Sequence, residues 1–194
     1  MKTKEPKAKA CKGCKVKFVP ARPFQACCGV LCALEIARQV REKKARQEAL
    51  AEKREDKAKR EKQKTRGDWF AEAQTAFNAF IRERDFGKPC ICCGKPMEPQ
   101  RPGGSIDAGH YLSRGSSKHL ALDERNCHAQ RKSCNRPGGT TRDSFRRGMI
   151  ERIGLEAVEA LEADQEPRKY TIDDLKAIKT KYAALARQLR KERE

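Results

Sequence analysis

The sequence predicts a mostly helical α+β protein in which small metal-stapled units are joined by long charged helices. Three observations carry that expectation. Hydrophobic and charged residues each make up 37% of the 194 positions, too little apolar surface for one large core. The ten cysteines fall into two groups, Cys11 to Cys32 and Cys90 to Cys134. Between and after them run stretches of Ala, Lys, Arg, Glu and Gln, all strong helix formers. The organisation expected is a cysteine module over 1–36, a charged helical linker over 37–67, a central domain over 68–163 and a C-terminal amphipathic helix over 164–194.

Charge narrows the partner. Lys and Arg number 45 against 27 Asp and Glu, a net charge of +18. Such a chain gains by releasing counterions from phosphates, so DNA is the expected partner. A membrane is not: the best apolar run, Gly29 to Ala37, is short and interrupted by Glu35. The lysine-rich start, Met1 to Ala10, is followed by no apolar leader segment. The cysteines therefore read as metal-binding thiolates in a reducing, cytoplasmic setting rather than as disulfides.

Taken in order, Cys11-Lys-Gly-Cys14 and the run Cys27-Cys28…Cys32 bring two thiolate pairs close in sequence. Cys11, Cys14, Cys28 and Cys32 are the chosen ligands of one tetrahedral zinc, with Cys27 as the adjacent alternative. A structural clip competes here with DNA contact by Lys12, Lys15, Lys17 and Arg22. From Ala33 to about Arg66 there is no Gly or Pro and too few apolar residues for a coiled-coil seam, which predicts a solvated basic helix. Gly67-Asp68 should break it and cap the next helix. Trp69, Phe70, Ala73, Phe77, Phe80 and Ile81 then recur at helical spacing, a face expected to pack on the central domain rather than on bases.

The chemistry sits in Cys90-x-x-Cys93, Asp107-Ala-Gly-His110, Asn126-Cys127-His128 and Cys134-Asn135. Cys90 and Cys93 form a knuckle, His110 ends a short strand, and Cys134-Asn135 should open a helix. This order resembles an HNH, or ββα-metal, nuclease motif on a treble-clef-like zinc core. Phosphodiester hydrolysis needs a base near neutral pH and a hard cation, and these residue types suit both needs. His110 is the candidate general base, and Asp107 and Asn135 are oxygen ligands fit for Mg²⁺ or Mn²⁺. Asn126 would hold the imidazole or the loop, with His128 and His119 as alternatives for metal or phosphate. The motif usually carries its metal ligand directly before the base, where this chain has Gly109. Residues 107 and 110 would point to opposite faces of a regular strand, so a turn or bulge is required to join them. The enzyme reading also requires the His110 ring and the Asn135 carboxamide to share an oxygen-lined gap. Arg114, Lys118, Arg131, Lys132 and Arg136 are the candidate DNA contacts.

Beyond the motif, Arg136-Pro137-Gly138-Gly139 makes a basic turn. Phe145 to Leu161 reads as a helix broken near Gly154, and Thr171-x-x-Asp174 as a capping box. Leu175, Ile178, Tyr182, Leu185 and Leu189 step by three and four. Docking of that seam on the same chain competes with a homodimer contact.

The text from Cys11-Lys-Gly-Cys14 through Pro89-Cys90-Ile-Cys-Cys93-Gly, Asp107-Ala-Gly-His110-Tyr111, Asp123-Glu-Arg-Asn126, Cys134-Asn135-Arg136 and Ile150-Glu-Arg-Ile153-Gly154 is similar to the NinG (Rap) recombination endonucleases of lambdoid phages. What the resemblance implies is a metal-dependent endonuclease for branched DNA, such as Holliday junctions and D-loops, acting in phage recombination within the bacterial host. One departure matters. The family pattern has a cysteine where this chain has Arg131, whose guanidinium cannot bind zinc. Cys127 is the favoured replacement beside Cys90, Cys93 and Cys134, with His128 and Cys92 as the other options. Together with Gly109, Arg131 also motivates a rival expectation, a DNA-binding accessory protein with a decayed site. No aromatic pattern or GXXG loop favours RNA.

Overall fold

The structure, a computed structural model, describes residues 7–97 and 105–194, so the first six residues of the lysine-rich start lie outside it. The chain divides into two units, Met1–Gln63 and Lys64–Glu194.

In the first unit, β1 (Lys9–Ala10) and β2 (Lys17–Phe18) pair antiparallel and enclose the Cys11–Cys14 loop. The helix α1 runs over Val30–Gln63, starting three residues before the expected Ala33, and buries no residue. Its ion pairs, among them Arg38–Glu42 at 3.6 Å and Lys59–Glu55 at 2.9 Å, are exposed and screened by solvent, so they add little. Propensity and solvation, not packing, account for this helix.

The second unit is three-layered. Helix α2 (Arg66–Arg84) begins not at Gly67-Asp68 but with Thr65 as its cap. Asp68 sits at the third position and its side chain accepts the Thr65 N–H at 2.8 Å, completing a capping box. The predicted apolar face is the buried one: Trp69, Ala73, Phe77, Phe80 and Ile81. It packs against Leu175, Tyr182 and Ala186 of α5 (Ile172–Lys191), with Phe77 and Tyr182 edge-on at 5.0 Å. The seam of α5 is thus spent on α2 of the same chain. Thr171 and Asp174 form the expected capping box at its start.

The middle layer is an antiparallel hairpin of β3 (Ile106–His110) and β4 (Cys127–Arg131). Its register is regular, Ile106 facing Arg131 and His110 facing Cys127, with no bulge. Ala108 and Cys127 belong to the α2–α5 core. On the other side α3 (Arg142–Ile153) and α4 (Leu155–Ala163) bury Phe145, Met149, Val158 and Leu161 with Ile91, Tyr111 and Leu120. Gly154, with φ of 89°, makes the expected break between them. Gly148 lies against the Ile91 carbonyl so closely that any Cβ would collide with it, which seats α3 on the cysteine knuckle.

Asp85 ties the layers together. Fully buried at the end of α2, its carboxylate accepts from the Ala129 N–H at 2.9 Å and Arg84 Nε at 3.0 Å, and meets Arg152 of α3 at 3.4 Å. Burial alone would raise its pKa, but His128, Arg84 and the Ala129 N–H hold it far below the usual carboxylate range. Arg84 is committed to Asp85 and to the Glu124 and Cys127 carbonyls.

Candidate metal centres and catalytic site

Two thiolate clusters have metal-binding geometry. The sulfurs of Cys11, Cys14, Cys28 and Cys32 all lie within 4.8 Å of one another, and Cys27 is not among them. Four thiolates about 2.3 Å from a zinc ion stand about 3.8 Å apart; Cys14–Cys28 and Cys28–Cys32 are each separated by 3.6 Å. Backbone N–H groups of Cys28 and Gly13 point at the Cys11 sulfur at 3.3 and 3.4 Å, and the Cys28 contact leads in lowering its pKa to about 6. This cluster fits a tetrahedral ion of the zinc type.

The second cluster holds three sulfurs, Cys90, Cys93 and Cys134, with Cys93 and Cys134 3.6 Å apart. The Arg131 N–H donates to the Cys90 sulfur at 3.3 Å, the backbone contact of a zinc knuckle. The expected rescue by Cys127 does not occur. Cys127 is at the far end of β4 from Arg131, about 13 Å of strand away. It is fully buried in the α2–α5 core, where burial pushes its thiol pKa up and keeps it neutral. His128 is likewise buried, its Nε2 bonded to the Arg125 carbonyl at 3.1 Å. The Cys92 thiol donates to Gln130 Oε1 at 3.5 Å. Among the described residues no fourth Cys, His or carboxylate joins the three sulfurs. They fit an ion with three thiolates and one further position.

The hairpin separates the candidate base from the candidate cation ligands. His110 turns toward α2, its ring 6.4 Å from that of Phe77. Its Nε2 is 3.0 Å from the Ala121 carbonyl, and its Nδ1 3.8 Å from the Cys127 sulfur. A carbonyl only accepts, so Nε2 carries the proton and Nδ1 faces the thiol as acceptor. Burial lowers the pKa and favours the neutral ring. Asp107, three residues earlier, faces away from that side, and its Oδ2 accepts from Asn135 Nδ2 at 3.0 Å. The two are about 10 Å apart along the strand. The turn or bulge that would unite them is absent from the regular register. Asp107 and Asn135 come together; His110 and Asn135 do not, so the oxygen-lined gap expected between them is not formed in the free protein. Cys134-Asn135 lies in a turn rather than opening a helix, because Pro137-Gly138-Gly139 defers α3 to Arg142.

Asn126 is a staple for the loop and not for the imidazole. Fully buried, it accepts from the Leu112 N–H at 2.8 Å and donates to the Leu112 and Leu120 carbonyls at 3.0 Å. His119 is bonded through Nε2 to the Asp164 carbonyl at 2.8 Å. Neither alternative histidine is presented to a cation or phosphate.

The family model described as bacteriophage lambda NinG protein matches residues 3–192, nearly the whole chain. This chain belongs to the NinG family. It is 38% identical to "Protein ninG" of Escherichia phage 933W over 97% of both chains. It is 36% identical to those of Escherichia phage lambda, over 97% of both, and Salmonella phage P22, over 93% of this chain and 92% of that one. No solved structure matches it.

In this NinG-family chain the predicted basic residues fall in two places. Arg114 and Lys118 are exposed on the loop after β3, whereas Arg131, Lys132 and Arg136 flank Cys134 and Asn135, with Arg136 exposed. Sequence reasoning passed over Gln130, whose buried carboxamide lies across Gly109 where a side chain at that position would sit. It also passed over the Ala121 carbonyl, which accepts from both His110 and Gln74 Nε2, the latter at 3.1 Å. Backbone acceptors leave no signal in residue type. Gln130 could have been flagged, since a glycine before the expected base leaves space for a partner across the strand pair. No helix is long and apolar enough to cross a membrane among the described residues.

Proposed function

We propose that this NinG-family chain is a divalent-cation-dependent endonuclease acting on branched DNA, such as Holliday junctions and D-loops, in phage recombination. The observation that carries the reading is the Asp107–Asn135 pair beside the Cys134 anchor, joined by Asn135 Nδ2 donating to Asp107 Oδ2 at 3.0 Å, where a turn of the carboxamide would present a second oxygen beside the carboxylate. A carboxylate and a carboxamide oxygen suit Mg²⁺ or Mn²⁺ rather than a soft ion. When bound there, such a cation supplies charge neutralisation at the scissile phosphate and lowers the pKa of a water. Asp107 and Asn135 would hold it, and the Cys90, Cys93 and Cys134 cluster, with zinc, would anchor the turn that carries Asn135.

His110 is the proposed base. Its neutral ring is the form that can take a proton, and Nδ1 carries the basic lone pair, turned toward the Cys127 sulfur at 3.8 Å. Because His110 and the Asp107–Asn135 pair lie on opposite faces of the hairpin in the free protein, this role requires the hairpin to rearrange when DNA binds, so that Nδ1 leaves the Cys127 thiol and reaches a water on the cation side. Arg131, Lys132 and Arg136 neutralise phosphates flanking the cut.

Purified protein, a labelled four-way junction and Mn²⁺ or Mg²⁺ test this. His110→Ala should lower nicking by at least about a hundredfold, the usual contribution of one positioned acid–base group, and Asp107→Asn should lower it by weakening the cation site, while junction binding in EDTA is kept in both. Unchanged cleavage in both variants would overturn the assignment. A second reading, a non-catalytic zinc-containing DNA-binding accessory protein, is favoured by one observation. Both His110 ring nitrogens are already facing protein groups, on the opposite side of the hairpin from Asn135. Wild-type binding without nicking in either metal would establish it.

A further inference from the structure

A second site lies on the other side of the hairpin from the Asp107–Asn135 pair. A cavity of about 370 Å³ opens between the start of α2, the loop after β3 and the start of α5. That is within the range of roughly 300–1,000 Å³ usual for small-ligand sites. Its floor is apolar: the half-buried rings of Phe70 and Tyr170, and buried Ala121 and Leu175. The two rings stand 6.4 Å apart, tilted by 49°. Its rim is cationic, formed by Arg66, Arg114, Lys118 and Arg168.

These cations are not equivalent. Arg168 is committed to Asp164 at 2.6 Å and to Asp123 at 3.5 Å. Arg66, Arg114 and Lys118 are exposed and form no ion pair with a carboxylate of the described residues. Three uncompensated positive charges around an aromatic floor are self-repulsive unless an anion answers them. The ligand must therefore carry negative charge at the mouth and a flat apolar body within. Inorganic phosphate would leave the floor unfilled, and an aliphatic acid would not use the rings.

We propose that this cavity binds an unpaired nucleotide of a DNA strand, its base on Phe70 and Tyr170 and its phosphates on Arg66, Arg114 and Lys118. Aromatic stacking with cationic tracking of the backbone is the general chemistry of single-strand binding. The site is linked to the candidate base through one residue, because Ala121 forms part of the floor and its carbonyl is the acceptor of His110 Nε2. A nucleotide seated here brings one strand of a branch to the His110 face. The inference rests on DNA being the partner, but not on cleavage.

The test uses the full-length zinc-loaded protein in EDTA at a concentration that spares the zinc. The probes are a single-stranded oligonucleotide, a four-way junction and a closed duplex, with 2-aminopurine in the single strand or at the branch. Wild type should bind the single strand and report a change in 2-aminopurine fluorescence. Tyr170→Leu should bind it about fivefold or more weakly with loss of that signal, as expected for one lost stack. Arg114→Gln/Lys118→Gln, both at exposed positions, should lower the salt slope of single-strand binding by about one to two. Equal binding, salt slope and fluorescence in wild type and both variants would overturn the nucleotide site while leaving the DNA reading intact. A change limited to the lysine–arginine variant, with Tyr170→Leu as wild type, would also overturn it, since only phosphates would then be recognised. Failure of wild type to bind any of the three DNAs would instead remove the DNA reading itself.

Discussion

At the residue scale, the consequential positions are those where chemistry and placement diverge. His110 has the residue type of a base but is sheltered, one nitrogen donating to Ala121 and the other facing a thiol. Burial disfavours its imidazolium, so its titration in the free protein should fall below the ordinary value near 6.5, with the proton on Nε2 at neutral pH. Ring ¹⁵N shifts followed from pH 8 to 5 check this; a midpoint above about 7 would contradict it. Cys127 explains why the replacement ligand failed to materialise. Strand spacing alone sets it about 13 Å from position 131, and the core claims its side chain. Cys127→Ala should keep every zinc that wild type binds, whereas Cys134→Ala should lose one by metal analysis of the purified chain. Arg131→Cys should bind the core ion at least about tenfold more tightly, and a cobalt-substituted sample should gain thiolate charge-transfer absorption.

At the element scale, the legible features were those set by neighbours in sequence. The apolar face of α2, the break at Gly154 and the capping box of α5 all follow from three- and four-residue spacing or from one residue's backbone freedom. The cysteine groups were legible for the same reason. Less was legible where the partner is remote. The parity of β3 puts residues 107 and 110 on opposite faces, but not which helix covers which face. Nor does the Cys134-Asn135 pair disclose that Pro137 and two glycines hold it in a turn. The α5 seam could have served a dimer, yet α2 offers it Trp69, Phe77 and Phe80 on the same chain. Leu175→Ala, wholly buried there, should cost about 2–5 kcal/mol in chemical denaturation. A loss of dimer without loss of stability would mean the seam works between chains.

At the scale of the whole molecule, two units, each with a cysteine cluster that could hold a metal ion, carry a net charge of +18, and α1 in the first is a basic helix with no buried residue. Affinity for DNA should therefore fall steeply with salt, by about a thousandfold or more between 50 and 200 mM if six or more phosphates are contacted. The second unit arranges its candidate chemistry on both sides of one hairpin. The Asp107–Asn135 pair lies on one side, and on the other His110 is bonded to Ala121, which floors a cationic, aromatic cavity. Membership of the NinG family was readable from residues, but this division was not, because it depends on how three layers close around a two-stranded sheet. The central claim is that the oxygen pair makes the chain a nuclease. The most direct measurement is incubation of the wild-type protein with a panel of branched DNAs and a linear duplex, in Mg²⁺, in Mn²⁺ and in EDTA. The account predicts strand nicks in the branched DNAs only when a divalent cation is present. Bound but uncut junctions under every condition would contradict it.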